Sequence, residues 1–310
     1  MTFNKLFEEW LEENHKYYIK ENTLLRYRCS YHNHIKSFFA NVPIQRINRR
    51  LIQTFLFHLK ENNSVRTNRK LSNSTINNVL ALLKRFFNYL EDSDLISKNP
   101  VVRIKNLPIN KQKINKVFTK AEQKKIEKYL ERSQDLSFFI YIFDLYTGLR
   151  MGELLPITWK DMDLRRGYIS INKNQSTIKN NNKWVDKIGT PKTKSSIRSI
   201  PIPSFLINHL KSIKNLHLSN HVFINKYGFP LNRRVITKNY TNMLKKLRIR
   251  YISFHALRHT FATRALENNI DIKTISEVLG HSDASMTLNI YSHSLLEHKR
   301  LQMRKIKPLV

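Results

Sequence analysis

The chain is poor in cysteine and in acidic side chains, and it lacks a long apolar run. Its one cysteine, Cys29, cannot form a disulfide within the chain, which indicates a reducing, cytoplasmic compartment. We expect Cys29 to be a small buried residue. The longest apolar run, residues 136–146, is interrupted by Asp144 and is shorter than the roughly 20 residues that a bilayer span needs. Since the N-terminus also has no signal-peptide pattern, no membrane partner is expected.

Acidic residues number 23 against 55 lysines and arginines, which gives a formal net charge of +32. Such an imbalance makes the folded chain repel itself unless a polyanion offsets it. An A/T-rich genome would also favour lysine codons, but it would favour glutamate codons equally and does not explain the shortage of acids. The composition therefore favours a nucleic acid as partner and a nucleoid-associated location.

Apolar residues recur at helical spacing from Phe3 to about Leu95, without a clear strand. The pattern predicts four helices, and Ser74 is a candidate N-cap for the last of them. An Asn-Pro step then breaks the periodicity, and the following stretch is basic. We therefore predict a helical domain over residues 1–100 and a linker over residues 101–116.

A second domain is predicted over residues 117–310. Its first helix carries a capping-box pattern, Thr119 with Glu122. Residues 167–172 and 197–202 alternate like strands, and we expect the Asn-rich stretch between them to form an exposed loop. Helical patterns dominate the rest. The sequence thus predicts a two-domain, mainly α fold with a small antiparallel β-sheet.

The string Thr147-Gly-Leu-Arg-Met-Gly-Glu153 presents an arginine beside a glycine and three residues before a glutamate. The guanidinium of Arg150 can bind two phosphate oxygens at any working pH. Gly148 allows close approach of the backbone, and Glu153 is placed to orient the guanidinium. An ordinary exposed arginine at a helix start fits this short string equally well.

A second string, His255-Ala-Leu-Arg258-His259, places three cationic or titratable groups on one helix face. Such a face needs an anion or a metal. A zinc-protease helix would carry Glu directly after its first His, and this chain has Ala256 there. Neither a cysteine cluster nor a Gly-rich phosphate loop is present, so no metal and no cofactor is expected.

Farther along the chain, Gly280 is predicted to end an amphipathic helix and to turn His281 out of its axis. Tyr291 follows ten positions after His281. A phenol, with an ordinary pKa of about 10, attacks poorly unless cations stabilise its phenolate or a base takes its proton. The arginines and His281 can supply such surroundings. Taken alone, Tyr291 fits a core or surface aromatic as well.

In this order, the residues resemble the active site of the tyrosine recombinases, the family of phage and transposon integrases and chromosome-dimer resolvases. The resemblance covers nearly the whole chain and implies a lysine acid in a hairpin turn. Both Lys192 and Lys194 lie in that turn; Lys192 is preferred, and the other lysine then contacts the DNA backbone. The implied catalytic residues are Arg150, Lys192, His255, Arg258, His281 and the nucleophile Tyr291, supported by Glu153, Lys194 and His259.

The resemblance further implies a C-shaped clamp on double-stranded DNA, in which the first domain is a SAM-like core-binding domain. It implies a homo-tetramer that exchanges strands through a Holliday junction, with room for an accessory DNA-bending or directionality protein. The basic segment 294–307 suits docking on a neighbouring subunit or on its own domain. The chain starts too close to its first helices to hold an arm-site domain. Two alternatives stay open: a type IB topoisomerase and a non-catalytic DNA-binding regulator.

Overall fold

A computed structural model of the chain describes residues 1–17, 19–64, 68–109, 117–133, 135–180, 183–191, 196–216 and 219–281. These residues form two compact units, the first within Met1–Lys113 and Ile178–Val185 and the second within Ile114–Thr177 and Asp186–Val310. Each unit has a hydrophobic core of its own. No helix in the described part of the chain is long and apolar enough to cross a membrane.

The first unit is helical, as the periodicity predicts. Its helices are α1 (Phe3–Tyr17), α2 (Glu21–Ser30), α3 (Lys36–Phe39), α4 (Arg49–Glu61) and α5 (Asn73–Asp92). A π-helical segment, Tyr31–Ile35, joins α2 to α3. The centre of the core is aromatic: the Phe7 ring stacks on Tyr31 at 4.7 Å and lies 4.7 Å from Phe86 between ring centroids. Such ring pairs contribute beyond their buried area.

Two details of the first unit differ from the prediction. The N-cap of α5 is Ser72 and not Ser74, because the Ser72 hydroxyl accepts a hydrogen bond from the Thr75 amide at 3.2 Å. Cys29 is exposed and not buried, since it lies on the outer side of α2. Both errors arise from local choices that a periodic pattern leaves open by one or two positions.

The core of the first unit extends into the stretch predicted as a linker. Val101 and Ile104 are buried in that core. The Lys84 ammonium donates to the Ile104 carbonyl at 2.9 Å, and the Asn77 amide donates to the Leu107 carbonyl at 2.9 Å. The chain therefore packs on the first unit up to residue 107, and residues 110–116 lie outside the described part.

The second unit combines helices with short strands, so the predicted class, mainly α with a small antiparallel sheet, is confirmed. Its helices are α6 (Lys120–Glu131), α7 (Phe139–Thr147), α8 (Met151–Leu154), α9 (Ser204–Leu216), α10 (Arg233–Lys246), α11 (Ala256–Glu267) and α12 (Ile272–Leu279). Its strands are β1 (Met162–Asp163), β2 (Tyr168–Ile171) and β5 (Arg198–Pro201). Strand β3 (Asn174–Asn180) begins in this unit and β4 (Lys183–Gly189) ends in it, while Ile178–Val185 is grouped with the first unit. The predicted capping box is confirmed, because Thr119 and Glu122 exchange both of its hydrogen bonds, at 2.8 and 3.1 Å.

The strands form a three-stranded antiparallel sheet of order β1-β2-β5 and a separate pair, β3-β4. The alternating segments around residues 167–172 and 197–202 supply β2 and β5, in a register that places Ile169 opposite Ile200. The Asn-rich stretch between them was expected to be a loop, and this was wrong for its flanks, which are β3 and β4. Asn and Lys are rare in strands, so the pattern gave no sign of them.

Candidate active site

Arg150 is positioned by the turn at the end of α7. Gly148 caps that helix in the left-handed region, at φ +63°. A Cβ atom at this position would collide with the Phe261 ring and lie 2.9 Å from Cδ2 of Leu279. The turn therefore requires glycine for both its backbone and its space. It leaves Arg150 at the N-cap position of α8.

The guanidinium of Arg150 is oriented by Glu153, one turn onward. Nη1 of Arg150 donates to Oε1 of Glu153 at 2.8 Å, and the Arg150 amide donates to Oε2 at 3.1 Å. The Glu153 side chain is only 3% exposed, against 35% for Arg150. Burial raises the pKa of Glu153, but Arg198 and Arg150 more than offset it and hold that pKa below its usual value. A fixed carboxylate thus holds a guanidinium that still reaches solvent.

Arg258 lies on α11 and is 2% exposed. Its Nη1 donates to the Gly148 carbonyl and its Nη2 to the Leu279 carbonyl, both at 2.8 Å. Burial, followed by repulsion from Arg150, lowers the pKa of Arg258 to about 10. The group therefore stays a cation at neutral pH, although it lies in the protein interior.

Both guanidiniums converge on the C-terminal end of α12. Arg150 donates to the Leu279 carbonyl at 3.3 Å and to the Gly280 carbonyl at 3.1 Å, so it shares the Leu279 oxygen with Arg258. Helix C-termini carry partial negative charge and unsatisfied carbonyls, which explains why cations gather there. Gly280 caps the helix at φ +63°, as the sequence predicts.

His281 directly follows this cap and is half-buried. Burial, followed by repulsion from Arg258, Arg150, Arg198 and His255 in that order, lowers the pKa of His281 to about 4. The imidazole is therefore neutral at neutral pH. The cations that act on it mark one shared positive region, formed by segments that are far apart in sequence.

His255 and His259 lie side by side at the start of α11. Their ring centroids are 4.9 Å apart and the rings meet edge to face at 83°. His255 is exposed, whereas Arg258 between them points into the interior. The helical spacing thus pairs the two imidazoles as expected, but it does not place the arginine in the same environment.

Sequence reasoning missed Arg198 as a residue of this site. Arg198 lies on β5 and its side chain is 8% exposed. Its Nη2 donates to Oε2 of Glu153 at 3.1 Å, and its Nε donates to the Val278 carbonyl at 2.7 Å. The sequence predicts a strand at this position, because apolar and polar residues alternate over residues 197–202. It does not predict the partners of Arg198, because they come from α8 and α12.

In the sequence, Asp144 on α7 is distinguished only by interrupting the apolar run 136–146. It is fully buried, and neither carboxylate oxygen has a hydrogen-bond partner of normal geometry among the described residues. Burial raises the pKa of Asp144 well above its usual value, and attraction from Arg258 offsets this only in part. Burial thus opposes ionisation of Asp144, and Glu153 is the carboxylate that Arg150 and Arg198 both contact. The cluster therefore carries excess positive charge, suited to an anion.

Lys192, Lys194 and Tyr291 lie outside the described residues, as does the segment 294–307. Within the described ranges, no group of three or more His, Cys, Asp or Glu side chains is arranged to hold a metal ion. The donors that the structure does bring together are guanidiniums and imidazoles, which bind oxyanions.

Family comparisons match both parts of the chain. Residues 134–298 match the model of the phage integrase family, and residues 2–60 match the phage integrase N-terminal SAM-like domain. The chain belongs to the phage integrase family. It is 32% identical to a tyrosine recombinase XerC-like protein of Caldanaerobacter subterraneus subsp. tengcongensis, over 96% of this chain and 81% of that protein.

Solved structures share the fold. The Tn1549 transposon integrase in complex with a circular intermediate DNA matches with a TM-score of 0.80 and 22% identity, over 99% of this chain and 100% of that one. Lambda integrase, as a tetramer bound to a Holliday junction, matches with a TM-score of 0.68 and 17% identity, over 92% and 78%.

Tyrosine recombinases are DNA strand transferases, and this integrase-family chain is therefore a tyrosine-type enzyme of site-specific DNA recombination. The comparisons favour this function over the two alternatives that the sequence left open, a type IB topoisomerase and a non-catalytic regulator. The family also agrees with the positive charge of the chain, because its reaction takes place on a polyanion.

Proposed function

We propose that this integrase holds a scissile DNA phosphate on Arg150 and Arg258 and attacks it with Tyr291. The most direct support is that Arg150 and Arg258 both donate to the Leu279 carbonyl, which lies at the end of α12 and two residues before His281. Two planar donors directed at one place can bind the non-bridging oxygens of a phosphodiester. The excess positive charge stabilises the additional negative charge that develops on phosphorus in the transition state.

In the proposed step, the phenolic oxygen of Tyr291 forms a bond to phosphorus and the bond from phosphorus to the 5′ oxygen breaks. The phenolic proton leaves to a base or to solvent, and the 5′ oxygen receives a proton as it departs. The products are a 3′-phosphotyrosine and a free 5′ hydroxyl. Attack by a 5′ hydroxyl of a partner strand reverses the step and reseals DNA, so the bond energy is kept in the adduct.

Each remaining residue has a proposed role. His281, neutral before DNA binds, and His255 donate hydrogen bonds to the phosphate, and His259 supports His255 through their ring contact. Glu153 fixes Arg150. We propose Lys192 as the acid that protonates the 5′ oxygen, with Lys194 on the DNA backbone. No cofactor or metal enters this scheme, because arginine, lysine and tyrosine supply charge, acid and nucleophile.

The proposed division of labour assigns residues 1–100, with the stretch to residue 107 that packs on their core, to a core-binding domain, the rest of 101–116 to a linker and 117–310 to the catalytic domain. The proposed partner is double-stranded DNA. The lambda integrase structure, a tetramer on a Holliday junction, supports a homo-tetramer as the active form. In such an assembly the segment 294–307 docks on a neighbouring subunit or on its own domain, and an accessory DNA-bending protein has room to act.

The test is capture of the covalent adduct on a nicked suicide substrate, resolved in a denaturing gel in excess EDTA. Tyr291→Phe should bind DNA normally, because only a hydroxyl is lost, and give no adduct. Tyr251→Phe is the matched control, since Tyr251 is an exposed tyrosine of the same unit. We expect it to form adduct at the rate of the unmodified chain.

Normal adduct formation by Tyr291→Phe would remove Tyr291 as the nucleophile. Loss of all cleavage in EDTA, with activity restored by a divalent metal, would replace the scheme by a metal-dependent one. Peptide mapping of the adduct identifies the linked residue directly.

A further inference from the structure

Arg198 joins three separate parts of the second unit. It lies on β5, contacts the carboxylate of Glu153 on α8 and donates to the main chain of α12. Its side chain is nearly as buried as that of Glu153. Burying a guanidinium is costly unless each of its N–H groups finds a partner. The hydrogen-bond partners of Arg198 therefore have to offset the cost of burying its charge.

Every nitrogen of the Arg198 guanidinium has a protein acceptor. Nε donates to the Val278 carbonyl at 2.7 Å, and Nη2 donates to Oε2 of Glu153 at 3.1 Å. Nη1 donates to the Ser196 carbonyl at 3.1 Å and contacts Oε1 of Glu153 at 3.4 Å. Arg198 thus joins a strand, a carboxylate and a helix end through one guanidinium. It holds its neighbours in place.

We propose that Arg198 is a positioning residue, which fixes Glu153 on one side and the last turn of α12 on the other, so that Arg150 and His281 face the same phosphate. This inference rests on the proposed function, because it assigns a role within that site.

The contacts of Arg198 act on two proposed catalytic groups, on Arg150 through Glu153 and on His281 through the main chain of α12. Glu153 receives Arg198 and Arg150 together, so removal of Arg198 frees the carboxylate to rotate and takes Arg150 with it. Val278 lies three residues before His281, so its carbonyl bond to Arg198 sets where the turn after α12 begins. Misplacement by about 1 Å can cost about 100-fold in rate.

Gly280 leaves space for this arrangement. A Cβ atom at position 280 would lie 2.7 Å from Nη1 and 2.8 Å from Cζ of Arg198. The main chain of the Gly-His turn therefore approaches the guanidinium more closely than any residue with a side chain would permit. The glycine at this cap serves both its left-handed backbone and its contact with Arg198.

The experiment is single-turnover cleavage of the suicide substrate, with DNA affinity measured separately. Arg198→Met keeps length and removes the fork; we expect a fall of about 100-fold in the cleavage rate at saturating DNA. The matched control is Arg166→Met, which removes the same charge from an exposed arginine of this unit. Both variants should weaken DNA binding by a similar small factor, and Arg166→Met should cleave at the unmodified rate.

A double variant tests whether Arg198 acts through Glu153. If it does, Glu153→Gln with Arg198→Met should cleave about as slowly as the slower single variant. A rate loss that multiplies would mean that Arg198 contacts the phosphate independently, and would overturn the positioning role. The double variant also removes the charge of a buried carboxylate that keeps only Arg150 as its partner after Arg198→Met, which favours folding.

Two further measurements keep the inference testable in solution. In the DNA-free protein, Arg198→Met should raise the pKa of His281 from about 4, because a nearby cation is lost, and Arg166→Met should leave it unchanged. If Arg198→Met does not fold, Arg198→Lys decides: slower cleavage with an unchanged melting temperature supports the role, and an unmodified rate overturns it.

The outcome separates this inference from the proposed function. Tyr291→Phe and Arg258→Lys are measured beside the Arg198 variants. If those two variants cleave normally, the proposed function fails. If they are inactive while every folded Arg198 variant cleaves at the unmodified rate, only the positioning role of Arg198 fails.

Discussion

The two units of this integrase bury different kinds of polar group. In the described part of the first unit, the buried polar residues are two neutral amides, Asn77 and Asn99. Among the described residues of the second unit, four acidic or basic residues are buried, and these are Asp144, Glu153, Asp161 and Arg258. Neutral amides are readily satisfied by the main chain, whereas buried charges reduce stability unless they are paired. The described interior of the first unit is held by apolar packing and neutral hydrogen bonds, whereas that of the second unit retains charge.

The contacts of these groups show the difference in detail. Asn77 exchanges two hydrogen bonds with the main chain of Leu107, at 2.9 and 2.8 Å, and so fastens one segment to another. Arg258 also bonds to main-chain oxygens, yet it adds a positive charge to the interior, and burial raises the pKa of the neighbouring Asp144 and so opposes its ionisation. The second unit thus retains a positive region in its interior at a cost in stability, and the proposed function uses this region to hold a phosphate.

The largest expected effect concerns the proton donor, because guanidiniums that stay charged cannot supply a proton. If Lys192 is the acid, Lys192→Ala should slow cleavage of ordinary DNA by about 100- to 10,000-fold. A sulfur in place of the leaving 5′ oxygen should largely restore the rate, since a thiolate departs without protonation. Lys194→Ala should instead weaken binding, with the salt slope reduced by about one.

Single-turnover rates on matched oxygen and sulfur substrates check this prediction. Rescue confined to Lys194→Ala would exchange the two roles. Rescue of neither variant would place the acid outside this turn.

The next effect tests whether charge in the second unit serves chemistry. Arg258→Lys keeps the charge but loses the planar fork, so we expect cleavage to fall by about 100- to 1,000-fold. Arg264→Lys, on the same helix, is the matched control and should cleave normally. In the first unit, Ile76→Val should lower the free energy of unfolding by about 0.5–1.5 kcal/mol and leave cleavage at saturating DNA unchanged.

Adduct formation rates and denaturant unfolding measure both sides of this contrast. If Ile76→Val slowed the chemical step as much as Arg258→Lys, the division between a packing unit and a chemical unit would be wrong.

The smallest effect concerns Asp144 and its stability at high pH. Burial raises the pKa of this carboxyl in the folded protein well above the value of about 3.9 that it has in the unfolded chain. The pKa is raised on folding, so Asp144 lowers stability as pH rises from that value to the folded pKa. Asp144→Asn should therefore flatten the fall in stability with pH, with a gain on the order of 1 kcal/mol at alkaline pH.

Urea unfolding at several pH values checks the sign. A variant that loses stability at alkaline pH would mean that Asp144 is ionised in the folded protein and pairs with Arg258. The second unit would then be as well neutralised as the first.

Much of the architecture follows from local sequence. Helical spacing predicts α5 and α12, the capping box at Thr119 is formed as read, and alternation predicts β2 and β5. These features depend on neighbours within a few residues, so the pattern contains them. Strands β3 and β4 were not predicted, because their many Asn and Lys residues have low strand propensity. Pairing in the folded protein overrides that propensity.

The site divides in the same way. The residue types and their order were enough to identify the family, because Arg150, Arg258, His281 and Tyr291 each stand in a recognisable local string. The sequence by itself also determined the need for a polyanion, since charge is a sum over residues and needs no fold.

Only the tertiary structure decided which groups meet. Arg150 and the Gly280 carbonyl are 130 residues apart in sequence and 3.1 Å apart in space. Arg198, on strand β5, reaches Glu153 on α8 and Val278 on α12. Local patterns place a residue on a face, but they do not say what that face packs against. A buried arginine looks like an exposed one until its carbonyl and carboxylate partners, supplied by distant elements, make the burial of its charge tolerable.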